Sequence, residues 1–210
     1  MDNLTLEEKI EQFQEFFTIK HSINVNAVPV PDDFELPDVE NLTEHMPYAF
    51  RIASDIAHIE AQAFRSLRSI GDHASELAEF LNHQSHKIDL IMSYVLRQED
   101  CSDHQFNAFE FGGSGVTIKS DSPIDIGSVH ELKLFLDVEA SAVFCYGEVI
   151  KCEEVATESV TNIDDDSACT EQPSQYNVSL IFTRIREQDQ ELLVRASLHL
   201  QSQQLRKKSK

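Results

Sequence analysis

An apolar stripe running from Ala49 to Val95 constrains this chain more than any other feature. Ala49, Ile52, Ile56, Ile59, Ala63, Leu67, Ile70, Ala74, Leu77, Leu81, Gln84, Ile88, Ile91 and Val95 follow one another in steps of three and four. Two consecutive steps of four, from Ile59 to Leu67, shift the phase once, and only Gln84 is polar. This is a heptad seam. No proline lies between Tyr48 and Ser122, so nothing in the backbone forces an early stop. A single helix from Tyr48 to Gln98 would be about 75 Å long at a rise of about 1.5 Å per residue. That exceeds the core of a small domain, so the seam is expected to be buried by other helices. A second row at heptad spacing, Phe50, Ala57, Phe64, Gly71, Ala78, Ser85 and Met92, flanks it and is apolar or small. So wide a stripe suits a bundle of three or more helices better than a two-stranded coil. The competing reading has the N-terminal segment covering the second row within one monomer. Gln84 is either a register-fixing amide or a tolerated polar residue.

Charge narrows the partners. Of the 210 residues, 37 are acidic and 17 basic, a formal charge of −20. Such a surface repels phosphate backbones and anionic membranes, so neither nucleic acid nor a lipid surface is an expected partner. The opening residues, Met1 to Glu8, lack the basic and apolar regions of a signal peptide, and no run is long enough for a membrane span. Cys101, Cys145, Cys152 and Cys169 show no metal spacing and no C-x-x-C pair. A cytoplasmic protein with reduced thiols is the expectation.

Three regions are expected. Residues 1–47 begin with a helix opened by the capping box Thr5-Leu6-Glu7-Glu8, with Leu6, Ile10, Phe13 and Phe17 along one face. Asn24 to Pro47 holds four of the six prolines and reads as an irregular strap. Residues 48–98 are the long helix. Residues 99–210 switch to strand periodicity: Phe106 onward, Val116 to Ile118, Val129 to Val138 with Leu132, Leu134 and Leu136 on one face, Ala142 to Cys152, and Tyr176 to Phe182. Between them, Gly112-Gly113-Ser114-Gly115 is a turn rich in glycine, which tolerates positive φ. Glu153 to Gln175, with Asp164-Asp165-Asp166, reads as a solvated acidic loop. A helix from Glu187 to about Arg206 closes the chain, with Leu192, Leu193, Ala196, Leu200 and Gln204 near one face. The fold class is α+β: a long bundle-forming helix, then a small antiparallel barrel with a C-terminal helix.

Chemistry is sparse. His58, His73, His83 and His86 share the long helix but form no ligand set, and Lys119 stands too late for a phosphate loop at Gly112. Val116 stands where a nucleophile elbow needs its last glycine. No nucleophile–base–orienter combination is visible, so neither catalysis, metal nor cofactor is expected.

The segments Phe111 to Val116, Ile126-Gly127, Tyr146 to Ile150, Tyr176 to Phe182 and Ile185 to Asp189, in this order and followed by the closing helix, resemble a PilZ domain. The resemblance spans about Cys101 to Lys210. It implies a six-stranded antiparallel barrel with a C-terminal helix and a place in bacterial cyclic diguanylate signalling. A heptad helix ahead of the barrel resembles the atypical, tetramer-forming branch. That branch implies a homo-tetramer with signalling proteins as further partners, and the heptad seam makes Ile52, Ile56, Ile59, Ala63, Leu67, Ile70, Ala74, Leu77, Leu81, Gln84, Ile88 and Ile91 its expected contact residues.

The departures from the family pattern are specific. Ligand-binding members carry an R-x-x-x-R pair before the first strand, because guanidinium forks grip phosphates and stack on bases. No arginine lies between Gln98 and Lys133, and Cys101 stands four residues after Arg97. The second motif, (D/N)-x-S-x-x-G, falls on Glu110 to Gly115. Glu110 replaces the short acid or amide, Gly112 replaces the serine, and Gly115 matches. Ser114 would supply a hydroxyl only from a shifted register. Two function classes stay open: an oligomeric, non-catalytic adaptor that leaves the nucleotide unbound at the usual site, and a cyclic diguanylate receptor with a non-standard site.

Overall fold

The computed structural model describes residues 4–15, 18–31, 33–67, 75–100, 102–155 and 175–208, with the side chains at 15, 58, 60–67, 75, 76, 78, 102 and 208 outside the description. Helix α1 (Leu6–Glu15) opens as its capping box dictates. The Thr5 amide donates to Glu8 Oε2 at 2.7 Å, and the Glu8 amide donates to Thr5 Oγ1 at 3.4 Å. Strand β1 (Thr18–Pro29) follows, then a 3₁₀ turn at Val39–Asn41 and the short helix α2 (Leu42–His45). Helices α3 (Tyr48–Leu67) and α4 (Ser75–Arg97) carry the heptad stripe. The rest is β2 (Gln105–Gly112), β3 (Gly115–Ser120), β4 (Val129–Leu136), β5 (Ser141–Val155), β6 (Gln175–Arg184) and helix α5 (Glu187–Lys208).

The six strands close an antiparallel barrel in the order β1-β2-β3-β6-β5-β4. Closure leaves no unpaired edge for other chains to add to. Alternation decides which side chains fill it. Val25, Phe111, Val116, Ile118, Leu132, Leu134, Val143, Val178 and Leu180 are fully buried inside. Leu193, Ala196 and Leu200 of α5 join the same core. The side chains of opposite phase on β4 and β5, Phe135, Phe144 and Tyr146, point out of the barrel yet are buried under Leu42, Met46, Phe50, Ala53, Met92 and Leu96. Each such large apolar residue contributes about 1.5–3 kcal/mol by leaving water. The helices are therefore welded to one face of the barrel.

Three expectations are corrected. First, the heptad segment is not one rod of 75 Å. Phe50 and Ala53 near the start of α3 share a cluster with Met92 and Leu96 near the end of α4. The stripe is thus delivered as two helices, one leaving the barrel where the other returns, each about 30–35 Å long. Heptad spacing reports a face, not a direction, so it cannot distinguish one long helix from two that pack together. Second, the expected strap from Asn24 to Pro47 begins as barrel strand. Residues Asn24 to Pro29 pair with Phe135 to His130 on β4, and β1 also pairs with β2. The barrel accordingly includes residues 18–29 as well as the C-terminal part, and the division at 47 and 99 cuts across it. Prolines at 29 and 31 mark the strand's end rather than its absence. Third, Glu153, Glu154 and Val155 are paired with Asn177, Tyr176 and Gln175, so the β5–β6 hairpin is longer than expected. The remainder of the acidic loop lies outside the described residues.

Candidate functional site

The turn singled out by the glycine-rich motif is covered by the chain's own N-terminal helix. Gly112 closes β2 and Gly115 opens β3, while Ser114 between them is only 5% exposed. Ser114 Oγ donates to the carbonyl oxygen of Phe13 at 3.2 Å. A Cβ at position 115 would come within 2.5 Å of the Phe13 ring and would also collide with the Leu180 carbonyl. Gly115 is thus a notch that only a residue without a side chain provides. Three further contacts hold α1 and the turn in place. Lys9 Nζ lies 2.7 Å from both carboxylate oxygens of Glu148 on β5. Gln190 Nε2 of α5 donates to the Gly113 carbonyl at 3.0 Å, and the Phe182 amide donates to Ser114 O at 2.9 Å. Glu110 accepts a hydrogen bond from Thr18 Oγ1 across the β1–β2 pair.

Of the four residues the sequence singles out here, Glu110 and Ser114 make these internal hydrogen bonds, and Gly112 and Gly115 lie buried. Lys9, Phe13 and Glu148 complete the arrangement and were missed as site residues. Phe13 was visible as part of an apolar helix face; nothing in the sequence aligned Lys9 with Glu148, which is 139 positions away. Arg97, the nearest upstream arginine, sits 3.8 Å from Asp137, with both side chains largely in solvent.

The second surface is the helical stripe. Ile52 and Ile56 pack beside the cluster that joins helices to barrel, and Leu81 and Gln84 are half-buried. Farther along, Ile59, Leu77, Ile88 and Ile91 are exposed, Ile59 to 63% and Ile91 to 62%. Phe80, Leu90 and Tyr94 on α4 are exposed beside them. Ala63 and Leu67 belong to α3 with their side chains undescribed, and Ile70 and Ala74 lie outside the described residues. A row of large aliphatic and aromatic side chains left in water is the signature of a surface that another molecule covers.

Other chemistry-bearing groups are dispersed. Among the described residues, no group of three or more His, Cys, Asp or Glu is placed to hold a metal ion. Cys145 is fully buried, and burial holds its thiol well above the ordinary range, so it is inert packing. Arg186 and Asp189 form a bidentate pair at 2.8 and 2.9 Å at the start of α5. Burial raises the Asp189 carboxyl, and Arg186 opposes that rise. Ser54 of α3 receives weak bonds from both Arg186 and Gln188, at 3.4 and 3.0 Å, so this pair also anchors the helical layer. No described helix is long and apolar enough to cross a membrane.

A closed six-stranded antiparallel barrel, capped by a C-terminal helix and carrying a layer of long helices, defines the class of fold. Neither a protein-family model nor a curated protein matches the sequence. Among solved structures, the chain is similar to a tetrameric PilZ domain protein from Xanthomonas campestris, self-assembled through an unusual helical bundle. That similarity has 13% identity and a TM-score of 0.50, covering 93% of this chain and 96% of the other. The PilZ domain of YcgR from Escherichia coli, solved with cyclic diguanylate, is similar over 53% of this chain and 84% of its own, at 13% identity and a TM-score of 0.40. Apo MrkH of K. pneumonia is similar over 49% and 41%, at 17% identity and a TM-score of 0.39. The fold is that of a PilZ barrel joined to a helical bundle, as the resemblance implied.

Proposed function

We propose that this chain is a non-catalytic, oligomeric adaptor in bacterial cyclic diguanylate signalling, with a barrel that leaves the nucleotide unbound at the family's usual site. The contact of α1 with the β2–β3 turn carries this reading. Phe13 fills the notch at Gly115, and Ser114, the one hydroxyl a shifted motif offers, is spent on the Phe13 carbonyl. No arginine pair precedes the turn to draw a dianion over that barrier. The net charge of −20 opposes an anionic ligand further.

Oligomerisation rests on the exposed stripe of Ile59, Leu77, Phe80, Ile88, Ile91 and Tyr94. Two helices from each copy, meeting along that stripe, would build a bundle, and a tetramer is the favoured assembly. Its barrels, facing away from the bundle in the cytoplasm, would present surfaces to signalling proteins. Light scattering on the purified chain, coupled to calorimetric titration with cyclic diguanylate, tests both halves. An assembled protein that gives no heat supports the adaptor. Saturable heat at micromolar nucleotide favours a direct receptor, and a monomer removes the scaffold.

A further inference from the structure

We infer that the barrel surface around Gly115, Ser114 and Glu148 is a helix-docking site, and that α1 occupies it as a displaceable pseudo-ligand in place of a partner's helix. The partner is a protein helix bearing a basic residue, with an aromatic residue one turn later. This goes beyond the adaptor reading, because it stands on the α1 contact whether or not the chain binds a nucleotide.

The surface is built to receive a helix. Lys9 and Phe13 are four residues apart and so lie one above the other on α1. The barrel meets each with a matching feature: the Glu148 carboxylate for the ammonium, and the side-chain-free notch of Gly115 for the ring. The Phe13 carbonyl lies in the last described turn of α1 and accepts a hydrogen bond from Ser114 Oγ. Charge, shape and a backbone acceptor are thus all read, over the span of one helical turn.

The occupant is lightly held. Among the described residues of α1 none is buried; only Lys9, Ile10 and Phe13 are even half-covered, and Leu6 remains exposed. A helix of 10 residues is marginal by itself, so its order depends on packing against the barrel. Elements with so few buried contacts open locally at small cost while the rest of the domain stays folded. When α1 lifts, Glu148 loses its ammonium and the notch loses its ring. A helix that brings both restores the contacts.

A fluorescein-labelled peptide of residues 4–15 is the probe, and the full chain carrying Phe13→Ala is the receptor with its latch weakened. The peptide is expected to bind this variant saturably and at least tenfold more tightly than it binds the unmodified chain. The same peptide with alanine replacing its phenylalanine is expected to lose that binding. A full chain carrying Lys9→Glu, which sets two carboxylates against each other, opens the latch independently should Phe13→Ala unfold. The proposal is overturned if the peptide binds opened and unmodified chains alike, if it binds neither opened variant, or if its phenylalanine makes no difference.

Discussion

The ring of Phe50 on α3 meets the ring of Phe135 on β4 edge-on, with centroids 5.7 Å apart and planes at 69°. This contact joins the helical layer to the barrel, and Phe50 is fully buried at 0% exposure. Replacing Phe50 with Ala removes the ring and leaves a cavity that rigid neighbours on a closed barrel fill poorly. The expected loss is about 3–5 kcal/mol, read from urea unfolding, against a clearly smaller loss for Phe50→Leu, which keeps more of the buried volume. Equal effects would show that the junction tolerates loose packing.

Arg186 and Asp189 lead to a prediction about pH. Asp189 is only 3% exposed, and burial raises its carboxyl even beside the guanidinium. Arg186→Ala leaves that carboxylate unpaired, at an expected cost of about 3–5 kcal/mol near pH 7. Because the protonated acid needs no cation, the penalty should shrink as pH falls through the carboxyl's raised folded value. Urea unfolding of the variant and the unmodified chain at pH 7 and pH 4.5 measures the difference. A penalty that does not change with pH would mean Asp189 is neutral throughout.

His130 lies buried on β4, on the face it shares with Leu132 and Leu134, and burial lowers its pKa from the ordinary 6.5. The unfolded chain therefore takes up this proton more readily than the folded one. The stability contributed by neutral His130 is complete above 6.5 and is lost as pH falls from there through the lower folded value. Between pH 7.5 and pH 5 the thermal midpoint of the unmodified chain should fall relative to that of His130→Leu. Parallel curves would assign the acid sensitivity elsewhere.

Leu77 and Ile91 are exposed on α4, so changing both to Lys should dissolve the assembly without disturbing the fold. Charges at these positions remain solvated in the monomer but would be buried without partners in a bundle. Light scattering should report a monomer while circular dichroism retains its helical signal. An unchanged mass would place the interface on another surface.

The β5–β6 hairpin is paired as far as Val155 and Gln175. Replacing residues 158–172 with a short turn is expected to move the thermal midpoint by no more than about 2 °C, since shortening a polar connection changes closure entropy only slightly. A fall of ten degrees or more would show that the acidic segment packs on the barrel.

Much of the architecture was legible because local patterns carry it. The capping box at Thr5 set the start of α1, heptad spacing marked α3 and α4, and alternation at Leu132, Leu134 and Leu136 marked a strand. Leu193, Ala196 and Leu200 gave the inward face of α5. These signals depend on neighbours a few residues apart, where helix and strand geometry fixes which side chains share a face. Only the tertiary structure decided that the heptad segment divides into two helices meeting at one end, that Thr18 to Pro29 closes the barrel, and that α1 lies across the β2–β3 turn. Each of these depends on residues far apart in the chain: Phe50 with Met92, Val25 with Leu134, Lys9 with Glu148. A periodic pattern states that a face will be buried, but the burial free energy is nearly the same whichever apolar partner covers it. The choice of partner falls to shape and charge in three dimensions, as at the Gly115 notch, where a single absent side chain admits Phe13.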